Sequence, residues 1–243
     1  MRSTRTIAGG HDVVMTESGT GEGPTYVLVH GLGVSARYYR PLTEQLALGG
    51  RVFVPDLPGF GRSPRPAHPL SVPALARVIA DLIVDRGLVA PVVVGHSMGA
   101  QVVTELVVAH PGVVTRLVLL GPVVNTEERT AVWQAARLGQ DSVREPLRLN
   151  AMLTGDYLRC GPRWYNATVA QMLAYRIEER LPQVTAPVVV VRGQHDPIAP
   201  GRWISKLAAI AQEATEVEVG GAGHVVMYSQ PVAVAALCRG ETS

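Results

Sequence analysis

The chain of 243 residues has only two cysteines, Cys160 and Cys238, which lie far apart and have no Cys or His neighbours at metal-ligand spacing. A disulfide framework or a zinc site is therefore not expected, and the composition fits a reducing compartment. Lysine is nearly absent, because Lys206 is the only one. Arginine carries the rest of the positive charge, and the arginines form no cluster that would indicate a basic binding surface.

Long apolar runs are also missing, since none approaches the ~20 residues that a membrane-spanning helix needs. Residues 1–6 are not followed by an apolar segment, so no secretory signal is expected. The formal net charge of +2 is too small and too evenly spread to indicate nucleic acid or an anionic membrane as a partner. These absences favour a cytoplasmic protein whose partner is a small-molecule substrate, and they leave open a homodimer.

The residues that are present indicate a globular α/β protein. Hydrophobic residues make up 47% of the chain and charged residues 17%, which suits a sizeable core. Uninterrupted apolar runs predict strands that are buried on both faces, and segments of helical spacing lie between them. This alternation predicts a mostly parallel sheet with helices on both faces. The predicted strands are an edge hairpin at 11–18, then 26–29, 51–54, 92–94, 116–120, 186–191 and 215–219.

Residues 126–185 break this alternation, because they contain no strand signal. We assign the sheet core to residues 1–125 and 186–243, and we assign 126–185 to a helical cap. A helical insertion between two strands can cover the carboxyl ends of a sheet. The cap is predicted to contain three helices, at about 126–140, 144–158 and 162–181.

The chemistry centres on Gly-His-Ser-Met-Gly at residues 95–99, which follows a valine run and precedes a helical pattern. A strand, a very tight turn and a helix would lift the Ser97 hydroxyl out of the sheet as a nucleophile. The alternative is a glycine-rich turn with no chemical role. The strand before the motif and the helix after it favour a nucleophile.

A serine nucleophile needs a base and an acid that orients the base, and both are expected at strand carboxyl ends. Asp196 directly follows the strand predicted at 186–191, and His224 directly follows the last one. Their order in the chain, Ser97 then Asp196 then His224, is the order expected of this arrangement. His195 is the competing base, and Asp56 is a weaker acid that is better explained by its own proline-glycine loop.

An oxyanion hole is expected from two backbone N–H groups, those of Met98 and Leu32. Gly31 and Gly33 would allow the loop of Leu32 to approach the nucleophile closely. No metal ligands are predicted. The side chains proposed to line a substrate pocket come from this loop and from the cap, which holds five of the twelve aromatic residues. They are His30, which would also brace the loop, and Trp133, Met152, Tyr157, Trp164 and Tyr165.

These motifs together resemble the α/β-hydrolase superfamily over nearly the whole chain. They are His-Gly-Leu-Gly at 30–33, Asp-Leu-Pro-Gly-Phe-Gly-Arg-Ser at 56–63, the motif at 95–99, Gly-Gln-His-Asp at 193–196 and Gly-His at 223–224. The resemblance is strongest to the branch of esterases, haloperoxidase-like enzymes and C–C hydrolases, which carry a helical cap after the sixth strand. It implies an acyl-enzyme mechanism without a cofactor, in which His224 deprotonates Ser97 and Asp196 holds the imidazole tautomer.

The sequence therefore predicts a serine hydrolase that cleaves a carboxylic ester or lactone of a small, moderately apolar substrate. One alternative is a C–C bond hydrolase of ring-fission diketones. Those enzymes tend to have Asn before the nucleophile and Trp after the base, where this chain has His96 and Val225. A thioesterase or an acyltransferase stays open, because only the acyl donor or acceptor differs. A ligand-binding protein without catalysis is the remaining alternative.

Overall fold

A computed structural model describes residues 1–241, so the last two residues assigned to the core lie outside the described part. It contains one sheet of eight strands, in the spatial order β1-β2-β4-β3-β5-β6-β7-β8. The strands are β1 Arg2–Ala8, β2 His11–Ser18, β3 Thr25–Val29, β4 Arg51–Asp56, β5 Val92–His96, β6 Arg116–Leu120, β7 Val188–Gly193 and β8 Ala214–Val219.

The N-terminal hairpin pairs antiparallel, β1 with β2 and β2 with β4, whereas all other neighbouring strands pair parallel. The predicted fold class, a mostly parallel α/β sheet, is therefore confirmed. The central strands β3, β5 and β6 are almost fully buried because helices cover both faces of the sheet.

The helices pack on the two faces of the sheet in two hydrophobic clusters. Helices α2 and α3 and the indole of Trp203 belong to one cluster, and α1 and α10 to the other. No helix of residues 1–241 is both long and apolar enough to cross a membrane. The helices are α1 Arg40–Leu46, α2 Val72–Asp85, α3 Met98–Ala109, α4 Ala131–Ser142, α5 Leu147–Cys160, α6 Pro162–Ala174, α7 Ile177–Arg180, α8 Gly201–Ile210, α9 Val226–Ser229 and α10 Pro231–Arg239.

Three helix predictions differ most from the structure. The first cap helix, predicted at 126–140, runs from Ala131 to Ser142 and follows a short 3-10 turn at Thr126–Glu128. The last helix, predicted at 224–238, is divided into α9 and α10, because Pro231 cannot donate a backbone hydrogen bond and disfavours helical geometry at Gln230, whose φ is −128°. The helix predicted at 162–181 ends at Ala174. Tyr175 is extended, and its carbonyl accepts a hydrogen bond from Arg129 at 2.8 Å. A tertiary contact therefore replaces the next helical turn.

Candidate active site

Ser97 stands at a strained turn between β5 and α3. Its φ of 56° and ψ of −121° are unusual for a residue with a side chain, and such strain is typical of functional sites. The turn is tight because its two glycines have no Cβ. A Cβ on Gly95 would lie 2.4 Å from the carbonyl oxygen of Gly99, and one on Gly99 would lie 2.2 Å from that of Val29. The sequence therefore folds so that Ser97 faces the carboxyl ends of the strands.

Asp196 lies in the loop after β7 and is almost fully buried. Its Oδ1 accepts hydrogen bonds from the backbone N–H groups of Ile198 and Ala199, at 2.8 and 3.0 Å. Its Oδ2 is 2.8 Å from Nδ1 of His224. Burial alone would raise the pKa of Asp196, but the charge of His224 and these hydrogen bonds lower the pKa below its usual value. The carboxylate is therefore ionised at neutral pH.

His224 lies in the loop after β8 and is also buried. Burial alone would lower the pKa of this imidazole, but the neighbouring charges of Asp196, Asp141 and Glu145 outweigh it and raise the pKa to about 9. Nδ1 of His224 donates to Asp196, which directs Nε2 away from the acid. Ser97 and His224 line the same cavity without a hydrogen bond between them among the described residues.

The loop predicted to supply the oxyanion hole lies beside Ser97. A Cβ on Gly31 would be 3.1 Å from the Cβ of Ser97, so the absence of a side chain at Gly31 eases this close approach. The backbone N–H groups of Leu32 and Met98 donate to no protein acceptor within residues 1–241. Leu32 lines the cavity beside Ser97, whereas Met98 is fully buried and is not part of the cavity wall.

His195, the competing base, and Asp56, the weaker candidate for the acid, lie in surroundings different from those of His224 and Asp196. His195 is exposed, and its carbonyl accepts a hydrogen bond from Arg144, so its ring is not part of the cavity. Asp56 is buried and accepts hydrogen bonds from the backbone N–H groups of Ala36 and Arg62. It therefore organises two loops, as its position in the proline-glycine segment predicts.

A cavity of about 370 Å³ opens above Ser97. Residues from the helices α4 to α6 form much of its wall, together with the loops after β3, β7 and β8. Apolar side chains predominate, and among the described residues no arginine or lysine lines the cavity. Its lining includes Leu32, Val34, Tyr38, Val123, Gln134, Leu138, Asp141, Asn150, Leu153, Thr154, Tyr157, Tyr165, Met172 and Ile198.

Of the predicted pocket residues, Tyr157 and Tyr165 line this cavity. The other four, His30, Trp133, Met152 and Trp164, do not line the cavity, which corrects the prediction that they form its wall. His30 is buried below the loop, where Nε2 accepts from the Leu57 N–H at 2.9 Å.

Trp133 is 50% exposed beside Arg137 because the outer face of α4 points to solvent. Met152 packs against the second hydrophobic cluster and is not among the residues that line the cavity. Trp164 packs against Gly59 and beside Arg65, outside the cavity wall.

Several cavity residues were not predicted from the sequence. Gln134, Leu138 and Asp141 lie on α4, and Tyr38 follows the oxyanion loop. Aromatic content directed the prediction to Trp133, whereas helical spacing from Gln134 through Leu138 to Asp141 marks the face that lines the cavity. Within residues 1–241, no three His, Cys, Asp or Glu side chains are arranged to hold a metal ion.

Comparison with known proteins identifies the family of the chain. The model of the alpha/beta hydrolase family matches residues 26–237. The chain therefore belongs to the α/β-hydrolase family, as its motifs predict.

The similar proteins differ in how much of the chain they cover. An uncharacterised Mycobacterium bovis protein is 32% identical over 137 residues, which are 54% of this chain and 40% of that protein. A pimeloyl-[acyl-carrier protein] methyl ester esterase of Vibrio vulnificus is 24% identical, covering 87% of this chain and 91% of the esterase. The solved enol-lactonase of Burkholderia xenovorans LB400 is 21% identical and has a TM-score of 0.84, covering 98% of this chain and 99% of the other. That structure shares the fold.

Proposed function

We propose that the protein is a serine hydrolase that cleaves a carboxylic ester or lactone through an acyl-enzyme intermediate. The observation that carries the proposal is the 2.8 Å contact between His224 and Asp196 in a cavity that also exposes Ser97. A nucleophile, a base with a fixed tautomer and two free N–H groups are the set of groups that acyl transfer requires.

The proposed reaction uses the fraction of the protein in which His224 is neutral, a fraction that grows as the pH rises toward its pKa of about 9. In that form, Nε2 of His224 takes the Ser97 hydroxyl proton as the serine oxygen attacks the carbonyl carbon. The N–H groups of Leu32 and Met98 stabilise the negative oxygen of the tetrahedral intermediate. Its collapse forms the acyl-enzyme, and His224 returns the proton to the leaving alkoxide. Water then attacks the acyl group as His224 takes a proton from it, and the second collapse releases the acid while His224 returns that proton to the Ser97 oxygen. Asp196 stays ionised and stabilises the imidazolium in both steps.

We further propose that residues 126–185 act as a cap that selects the substrate. Apolar groups of Leu153, Tyr157 and Tyr165 would contact an acyl chain or an apolar alcohol. Because no cation lines the cavity in the described residues, while the carboxylate of Asp141 does, an uncharged substrate is favoured over an anionic one. The esterase and lactonase named above support the ester or lactone class.

Steady-state turnover of short-chain aryl esters and of a small lactone tests the assignment. The variant Ser97→Ala is expected to lose about 10⁴-fold or more in kcat while it keeps its fold, because no nucleophile remains. Ser142→Ala is the matched control, since Ser142 lines the same cavity but its hydroxyl bonds to Leu138 within α4. This control should retain most of the wild-type turnover.

Two outcomes would contradict the assignment. Undiminished ester turnover by Ser97→Ala would show that Ser97 is not the nucleophile. Hydrolysis of a vinylogous diketone by the same preparation, with no turnover of esters or lactones, would instead indicate the C–C bond hydrolase.

A further inference from the structure

We propose that Asp141 and Glu145 are positioning residues, which hold the His224 loop against the helical segment and place negative charge beside the imidazole. This inference rests on the proposed role of His224 as the base. Neither acid touches the nucleophile, so each would act through His224 rather than on the substrate.

Hydrogen bonds fasten Asp141 and Glu145 to the His224 loop. Oδ1 of Asp141 accepts the backbone N–H of His224 itself at 2.9 Å, and Oε1 of Glu145 accepts the N–H of Val225 at 3.1 Å. The two carboxylates therefore fix consecutive peptide groups at the base. Both acids are buried, with 3% and 6% of their surface exposed. The loop can approach the two acids because Gly223 has no side chain. A Cβ at this position would lie only 2.6 Å from Oε1 of Glu145.

The turn at residues 141–145 also reaches the loop of the proposed acid. Nη1 of Arg144 donates to the carbonyl of His195, at 3.2 Å, next to Asp196 in the chain. Asn150 of α5 holds the turn from the other side, because its amide donates to the carbonyls of Ser142 and Glu145. A single short turn of the helical segment is thus fastened to the loops that carry both His224 and Asp196.

Both of the residues that bind this loop, Asp141 and Glu145, are acids. A backbone N–H could be satisfied by a neutral amide, yet two carboxyl groups are buried here, where burial raises the pKa of each and disfavours its charge. Asp141 also lies near the C-terminus of α4, where the helix dipole disfavours a negative charge. Because burial disfavours the negative charge of Asp141 and Glu145, the presence of an acid at both positions supports a role for that charge.

Four titratable side chains face the imidazole of His224. They are Asp196 on the β7 loop, His96 on the elbow, and Asp141 and Glu145 on the 141–145 turn. Burial and the charge of His224 keep the pKa of His96 well below its usual value, so His96 is neutral. The three carboxylates therefore raise the proton affinity of His224, and the two from the turn add to the effect of Asp196.

The variants Asp141→Asn and Glu145→Gln, singly and together, test the charge because the new amides keep an oxygen acceptor for each N–H. The low-pH limb of kcat/KM reports the base of the free enzyme. Removing negative charge lowers the pKa of His224, so the double variant should move this limb about one unit toward lower pH. Glu128→Gln is the matched control, since Glu128 is a buried acid of the same segment that pairs with Arg137. The low-pH limb of kcat/KM for Glu128→Gln should stay at the wild-type position.

A second readout does not depend on activity. NMR titration of His224 in the Ser97→Ala background should show the same downward shift of its pKa when the two amides are introduced. An unchanged pKa, or a loss of kcat/KM that is equal at every pH, would overturn the inference and leave the acids a purely structural role. The titration separates this result from a failure of the proposed function, which the turnover of Ser97→Ala alone decides.

Discussion

His96, the residue before Ser97, connects the oxyanion loop to the base loop. Its Nε2 lies 3.0 Å from the carbonyl oxygen of His224, so this nitrogen carries the proton and donates. Since the ring is neutral, Nδ1 accepts the hydroxyl hydrogen of Tyr38 at 2.9 Å. The Tyr38 oxygen in turn accepts the N–H of Gly31, also at 2.9 Å. Three hydrogen bonds thus join these four polar groups in one chain that spans the site.

Replacing Tyr38 with Phe would leave the N–H of Gly31 and Nδ1 of His96 without partners. We expect the free energy of unfolding to fall by about 1–3 kcal/mol, because buried polar groups that lose their partners keep their desolvation penalty. Urea denaturation measures the change. Tyr228→Phe is the control, since Tyr228 is only partly buried and is expected to change stability by less than about 0.5 kcal/mol. Equal stability of both variants would contradict this account of the network.

At the scale of elements, the sequence predicts the strands well because each central strand is an apolar run with a turn signal at its end. The loops after β5, β7 and β8 carry Ser97, Asp196 and His224, so their approximate meeting at one edge follows from the parallel topology. Helix ends were less predictable. Tyr175 leaves helical geometry because of Arg129 and Glu105, which are remote in sequence and make contacts that no local pattern reveals.

The wall of the cavity was the least predictable part of the site. Its residues come from α4, α5 and α6, and which face of each helix turns inward depends on how the three pack together. Composition singled out Trp133, which is half exposed, and Trp164, which packs against Gly59 away from the cavity, whereas Tyr157 and Tyr165 line the cavity. The anchoring by Asp141 was missed for the same reason, since its partner is 83 residues further along the chain.

At the scale of the whole molecule, the buried pair of His224 and Asp196 links folding to pH. The pKa of His224 is raised in the folded protein from 6.5 to about 9. The stabilisation that results is complete below the unfolded value and disappears as the pH rises through the folded one. The pKa of Asp196 is lowered from 3.8, so its contribution is present above that value and disappears at more acidic pH.

We therefore expect the free energy of unfolding to decrease between pH 6.5 and about 9 in the wild-type protein. The variant His224→Gln lacks the titrating group, so its stability should be flatter over the same interval. Chemical denaturation at a series of pH values measures both curves. Parallel curves for the two proteins would mean that His224 does not hold its proton more tightly in the folded state.

The most direct test of the central claim is labelling with a fluorophosphonate, followed by peptide mass spectrometry. Such a probe forms a covalent adduct with a serine hydroxyl that a neighbouring base activates. We predict one adduct, on the peptide that contains Ser97, with no adduct in Ser97→Ala and at least about tenfold slower labelling in His224→Gln. An unlabelled wild-type protein would contradict the assignment of Ser97 as the nucleophile and favour a cavity that binds its ligand without chemistry. An adduct at another serine would contradict the assignment by identifying a different nucleophile.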